Sequence, residues 1–208
     1  MCYVASDFMA QASRTQLAAP AAADDARERI LAAAERCIER YGIRKTKMDD
    51  IASEVGMSRP SVYRYFADRD DLLIKLISRH ARALTNRAHR SMSRQSGFSA
   101  QIIEGILYIA EHGRRDPLVD PDGTSLGRRM IASGTSELIR AELFDRYLDA
   151  AVASGELPPG LPRADFHLWF GNLATMVMRG LEDGEGNLKR YRSILHRFVA
   201  PAFAEVNG

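Results

Sequence analysis

Apolar residues recur every three or four positions along most of this chain. No stretch alternates apolar and polar residues as a strand would, so the pattern predicts an all-α protein. The opening is the exception. Residues 1–23 are rich in Ala, Ser and Gln, with Pro20 near their end, keep no sustained period, and are expected to form a flexible N-terminal tail. From Asp24 a helical stripe of Ile30, Leu31, Ala34, Cys37, Ile38 and Tyr41 runs to a stop at Gly42. Thr46 is placed to cap a second, short helix carrying Met48, Ile51, Ala52 and Val55 on one side. Gly56 ends it, because glycine accepts the left-handed conformation of a helix C-terminus. Ser58 is the natural cap of a third helix, with Pro60 in its first turn, where a missing N–H costs nothing. Asp68 caps a fourth, with Asp71 three places on as capping-box partner, running from Arg69 into the high eighties.

Beyond Ser99 the helical period continues with weaker stop signals. Ile102, Ile103, Ile106, Leu107 and Ala110 form one stripe, broken by Asp116 with Pro117 and by Pro121, Asp122 and Gly123. Leu126, Met130 and Ile131 suggest a short helix ended near Gly134. Leu138, Ile139, Leu143, Phe144, Tyr147 and Leu148 make the next, closed by Gly155. The segment from Phe166 to Leu181 is apolar nearly all round, so it needs cover on both sides, and a second copy of the chain is a plausible second cover. A final helix aligns Leu188, Tyr191, Ile194, Leu195, Phe198 and Val199, and Pro201 is expected to kink or end it.

The third helix carries the chemistry. At roughly 100° per residue, Val62 and Phe66 fall together on an inner side, with Pro60, Ser61 and Arg64 opposite and Tyr63 on the flank. Arg64 can offer paired donors to guanine or a charge-assisted bond to phosphate. Ser61 and Tyr63 bring hydroxyls suited to phosphate oxygens, and Lys47, Arg59 and Arg69 add positive charge around the same surface. Two short helices joined by a glycine turn, the second with one apolar and one basic-aromatic side, form a helix-turn-helix unit able to enter a DNA groove.

These residues resemble the DNA-binding domain of TetR-family transcriptional regulators. The matching positions are Thr46, Ile51, Ala52, Gly56, Met57, Ser58, Pro60, Ser61, Val62, Tyr63, Tyr65, Phe66, Arg69, Asp70, Asp71 and Leu72, with Met57 for the usual valine, Tyr65 where histidine is frequent and Arg69 for lysine. The likeness covers roughly residues 26–75. It implies a three-helix DNA-binding domain over 24–70 and a helical effector-binding and dimerisation domain over 71–208. It further implies that Thr46, Ser61, Tyr63 and Arg69 hold phosphates while Arg59, Pro60, Ser61 and Arg64 approach bases. Lys47, Ser58 and Tyr65 complete the expected DNA-binding set. Relatives of this kind work as homodimeric repressors on palindromic operators, released by a small molecule.

For the pocket the aromatic and sulfur candidates are Phe98, Ile102, Tyr108, Met130, Phe144, Tyr147, Trp169 and Met176, with His112, His167 and Arg179 to orient a polar group. Their apolar character points to a hydrophobic or amphipathic effector. For the dimer interface the candidates are Phe166, Phe170, Leu173, Val177, Ile194 and Phe198.

Composition narrows the alternatives. Hydrophobic residues make up 46% and charged residues 27%, and the net charge is +2, so a polyanionic partner must be recognised by local rather than global charge. Two cysteines make no disulfide framework and have no metal-ligand company, so no metal or cofactor is expected. No run long enough to span a membrane and no secretory signal is present, which fits a cytoplasmic protein. An enzyme is disfavoured: the five histidines are dispersed, and there is no phosphate-cradling glycine loop or nucleophile–base spacing. The remaining alternative is a helical interaction protein that has lost sequence-specific DNA binding.

Overall fold

The structure, a computed structural model, describes residues 5–116, 118 and 125–204; of these, the side chains of 5–22, 125, 127 and 204 are not described. All regular structure among the described residues is helical. The chain divides into two units, Met1–Leu76 and Ile77–Gly208, and each has its own core.

In the first unit α1 spans Ala5–Tyr41, α2 Met48–Val55 and α3 Arg59–Tyr63, and α4 (Arg69–Met92) starts here and continues into the second unit. The α1 helix therefore starts well before Asp24. An alanine-rich stretch needs no apolar stripe to favour helix, because propensity alone does so. From α1 come Ile30, Leu31, Ala34, Cys37 and Ile38; from α2, Met48, Ile51 and Ala52; from α3, Val62. These pack with Phe66 and with Leu72, Leu73 and Leu76 of α4 into a small buried core. Tyr41, the last residue of the expected stripe, is instead exposed, with Arg40 over its ring.

The turn between α2 and α3 rests on Gly56, whose φ of 71° is left-handed; the N–H groups of Gly56 and Met57 donate to the carbonyls of Ser53 and Ala52. The cap of α2 differs from expectation. Lys47 occupies it, and its backbone N–H donates to Asp50 Oδ2 at 2.9 Å, while Thr46 is turned into the core. At α4 the expected cap holds: the Asp71 N–H donates to Asp68 Oδ1 at 2.8 Å, and Asp71 Oδ2 accepts the N–H of Ala67, one residue before the cap.

In the second unit α5 (Phe98–Gly113) lies among α7 (Thr135–Ser154), α8 (Arg163–Glu182) and α9 (Leu188–Phe198), with α6 (Ser125–Ala132) against α7. Ile102, Ile103, Ile106, Leu107 and Ala110 of α5 are all buried, which is what the sequence stripe requires. Facing them are Leu143, Phe144, Tyr147 and Leu148 of α7 and an aromatic set on α8, where the Phe166 and Phe170 rings stack at 4.1 Å. The α9 helix ends at Phe198, and Pro201 opens a short α10 (Pro201–Ala204). Of the expected breaks, Pro117, Pro121, Asp122 and Gly123 lie outside the described residues. Among the described residues no helix is long and apolar enough to cross a membrane.

Candidate nucleic-acid interface

The outward side of α3 is built from the inside out. Val62 and Phe66 are sealed in the core, which fixes the rotation of this short helix. Ser58, Arg59, Pro60, Tyr63 and Arg64 are then exposed and Ser61 half-buried on the opposite side. Ser58 caps the helix by accepting the Ser61 N–H at 3.3 Å, and the two hydroxyls lie 2.8 Å apart. Arg59 is held in place: it donates to Asp49 Oδ2 at 3.2 Å and to the Tyr63 hydroxyl at 3.4 Å, with its guanidinium 5.5 Å from the Tyr63 ring centre. The Tyr63 bond, then the Asp49 charge, raise the Arg59 pKa above its ordinary value. Arg64, by contrast, makes no hydrogen bond or ion pair among the described residues and stands free to reach a base edge. Exposed Lys47 adds charge from the start of α2. Tyr65 is half-buried, with Arg27 of α1 5.9 Å from its ring centre.

Two residues expected to hold phosphates do other work. Thr46 is 1% exposed, and both its N–H and its hydroxyl donate to the Gly42 carbonyl, at 3.2 and 3.0 Å. No donor on Thr46 is left for a ligand. Arg69 donates from Nε to the Thr46 carbonyl at 2.7 Å and from Nη2 to the Ile43 carbonyl, and its Nη1 faces Asp70 at 3.6 Å. It clamps the α1–α2 loop to the start of α4. The sequence shows a cation there but not which carbonyls the fold brings to it.

The second unit holds a partly open cavity of about 320 Å³. Its walls come from α4 (Ile77, His80, Ala81, Leu84, Thr85), α5 (Ile106, Ile109, Gly113), α7 (Ser136, Ile139, Arg140, Leu143, Phe144) and α8 (Phe170, Gly171, Ala174, Thr175, Met178), with Asp116 and Leu118. Of the expected pocket residues only Phe144 is a wall. Phe98, Ile102 and Tyr147 are packed in the core, and Tyr108 stacks on His112 at 4.0 Å. Trp169 and Met176 point outward, 44% and 47% exposed, and Met130 is half-buried on α6 away from the cavity. None of the three expected orienting groups lines it either. His112 Nδ1 lies 2.9 Å from the Tyr108 carbonyl, Arg179 is exposed, and buried His167 sits between Glu137 Oε1 at 2.7 Å and Asp145 Oδ1 at 2.8 Å. Burial pushes the Glu137 carboxyl up, but hydrogen bonds from His167 and Arg140 outweigh it and hold the group below its ordinary value.

The titratable walls that sequence reasoning missed are His80, Asp116 and Arg140. A signal existed for Arg140: it falls three and four residues before Leu143 and Phe144, on the apolar side of α7, where a cation needs a reason. The expected interface set also divides. Phe166, Phe170 and Val177 face the core, Leu173 and Ile194 are half-buried, and Phe198 is 70% exposed. The outward apolar side of α8 is instead Leu168, Trp169 and Met176.

Residues 30–76 match the family model described as bacterial regulatory proteins, tetR family. The chain is 29% identical over 153 residues to an uncharacterised HTH-type transcriptional regulator of Mycobacterium bovis, covering 72% of this chain and 75% of that protein. Among solved structures, RolR in complex with resorcinol superposes with a TM-score of 0.65 at 13% identity, over 90% of this chain and 95% of that one. FadR of Bacillus subtilis in complex with stearoyl-CoA gives 0.53 at 18% identity, over 81% and 95%.

Proposed function

We infer, from the match of residues 30–76 to the tetR-family model and the likeness to an HTH-type transcriptional regulator, that this chain works in the cytoplasm as a homodimeric repressor of the TetR type that leaves a palindromic operator when a small molecule binds. The observation that carries the reading is the outward side of α3. A free Arg64 stands beside Pro60, Ser61 and an Arg59 braced by Asp49 and Tyr63, on a helix whose rotation Val62 and Phe66 fix. Such a face positions by phosphate contact and reads by base contact. Two copies related by a two-fold axis would address half-sites about one helical turn apart.

The effector reading is supported by the cavity, whose α4 wall belongs to the helix that opens at the end of the DNA-binding unit. A ligand changes DNA affinity only by preferring one arrangement of that helix over another. A coupling of about 1–3 kcal/mol would reduce occupancy roughly 5- to 150-fold. The complexes of RolR with resorcinol and of FadR with stearoyl-CoA lend support for an organic effector with an apolar part, a small ring in the first and a long acyl chain in the second.

The test is selection of bound duplexes from a random pool with the full chain. The reading expects one recovered site with two-fold symmetry, bound far more tightly than random duplex and losing affinity steeply with salt. Recovery of no preferred sequence would overturn it in favour of an interaction protein.

A further inference from the structure

We propose that the effector is a compact organic acid whose carboxylate is received by Arg140. The inference rests on the effector reading above and names the chemistry of that site. Among the described residues, Arg140 Nε is the one side-chain nitrogen or oxygen closed to solvent with no hydrogen-bond partner, while the side chain as a whole is 26% exposed and forms part of the cavity wall. Of the five N–H groups of this guanidinium, the structure engages only one at Nη2, with Glu137 Oε2 at 3.2 Å. Glu137 is shared between two partners, its other oxygen lying 2.7 Å from His167 Nδ1.

The other charged walls do not compete. Asp116 gives Oδ2 to His80 at 2.9 Å and accepts the Leu118 N–H on Oδ1 at 2.9 Å. Arg140 is therefore the cavity cation with donors to spare, in a space whose other walls are mainly apolar, with the hydroxyls of Thr85, Ser136 and Thr175 and the His80–Asp116 pair among them. A planar guanidinium with open donors matches a carboxylate.

A second observation shows that the fold makes room for this side chain. Gly171 lies within α8, where glycine is a poor helix former, and a Cβ there would stand 2.8 Å from Arg140 Cδ and 3.6 Å from its Nε and Nη1. The missing methyl lets Arg140 lie across the α8 backbone at the cavity wall. Size restricts the partner further, since about 320 Å³ sits at the small end of ligand pockets. An aromatic or short-chain acid suits it.

The experiment is calorimetric titration of the full chain, without DNA, with benzoate, phenylacetate and hexanoate and with the three corresponding amides. The proposal expects at least one acid to bind at least tenfold more tightly than its amide, and expects Arg140→Gln to erase that difference. Circular dichroism checks the fold of each variant. Should Arg140→Gln fail to fold, Gly171→Ala, which displaces the arginine while keeping its charge, must weaken the acid and spare the amide. Amides binding as well as acids, no acid binding at millimolar concentration, or an acid preference that survives both substitutions would each overturn it. Because no DNA is present, a chain that binds acid but no operator sinks only the regulator reading. One that binds an operator but no acid sinks only this inference.

Discussion

The Nε–H of Arg69 donates to the main-chain oxygen of Thr46 at 2.7 Å, and Nη2 of the same side chain donates to that of Ile43, so one guanidinium ties the α1–α2 loop to the first turn of α4. Bonds from a charged donor to part-buried carbonyls contribute to stability. Arg69→Ala should therefore lower unfolding stability by about 2 kcal/mol, read as a shifted urea midpoint. Lysine, a single point donor, should recover only part of the loss. Unchanged stability with weaker DNA binding would return Arg69 to the phosphate role.

Arg64→Ala is expected to do the opposite. With no internal partner to lose, the variant should keep its stability within about 0.5 kcal/mol. Its discrimination at one operator position should relax by about 1–3 kcal/mol. Competition binding against single-base operator variants decides it, and equal profiles for wild type and variant would remove Arg64 from base reading.

A pH effect should come from the second unit. His89 Nδ1 lies 3.2 Å from the Tyr147 hydroxyl and Nε2 lies 3.2 Å from the Glu142 carbonyl. Burial, then the Arg146 charge, hold its pKa below the ordinary histidine value, although the Glu142 carbonyl pulls the other way. In the unfolded chain the imidazole takes its proton near the usual pH, whereas the folded chain resists it. The stability this neutral histidine contributes is therefore complete above about pH 6.5 and declines as pH falls below it. Urea titrations across that range should show His89→Gln with a flatter profile than wild type.

Neighbouring apolar residues on α8 should fail in different ways. Phe166 is 6% exposed against Phe144 and Phe170, so Phe166→Ala should cost about 3–5 kcal/mol of stability. Trp169 and Met176, seven residues apart on the outward side, and Phe198 of α9 should instead matter mainly between copies, although Trp169 also meets the Phe170 ring edge-on at 4.8 Å. Trp169→Glu with Phe198→Glu is expected to keep the fold and convert a micromolar dimer to monomer in sedimentation. A dimer that survives both charges would place its interface elsewhere.

How much of this was legible in the sequence follows from where phase information exists. In the first unit each helix has one apolar side, so the burial of Ile30, Ile51, Val62 and Phe66 could be read from spacing, and with it the outward position of Arg64. The internal partners of Thr46 and Arg69 could not be read, because they are backbone carbonyls brought near by the loop, and side-chain spacing carries no record of those. In α8 the period itself is lost. A helix apolar all round offers no sign that Phe166, Phe170 and Val177 turn inward and Trp169 outward. A cavity is harder still, being the space left by four helices, and only Phe144 of the expected set borders it.

Cys37 sits 1% exposed in the core of the first unit, and burial, with the charges of Glu54 and Asp50, raises the pKa of its thiol. Peroxides and disulfide reagents attack accessible thiolates, and this sulfur offers neither access nor charge. Oxidative stress therefore has no handle at that position, and the first unit should survive handling without reductant.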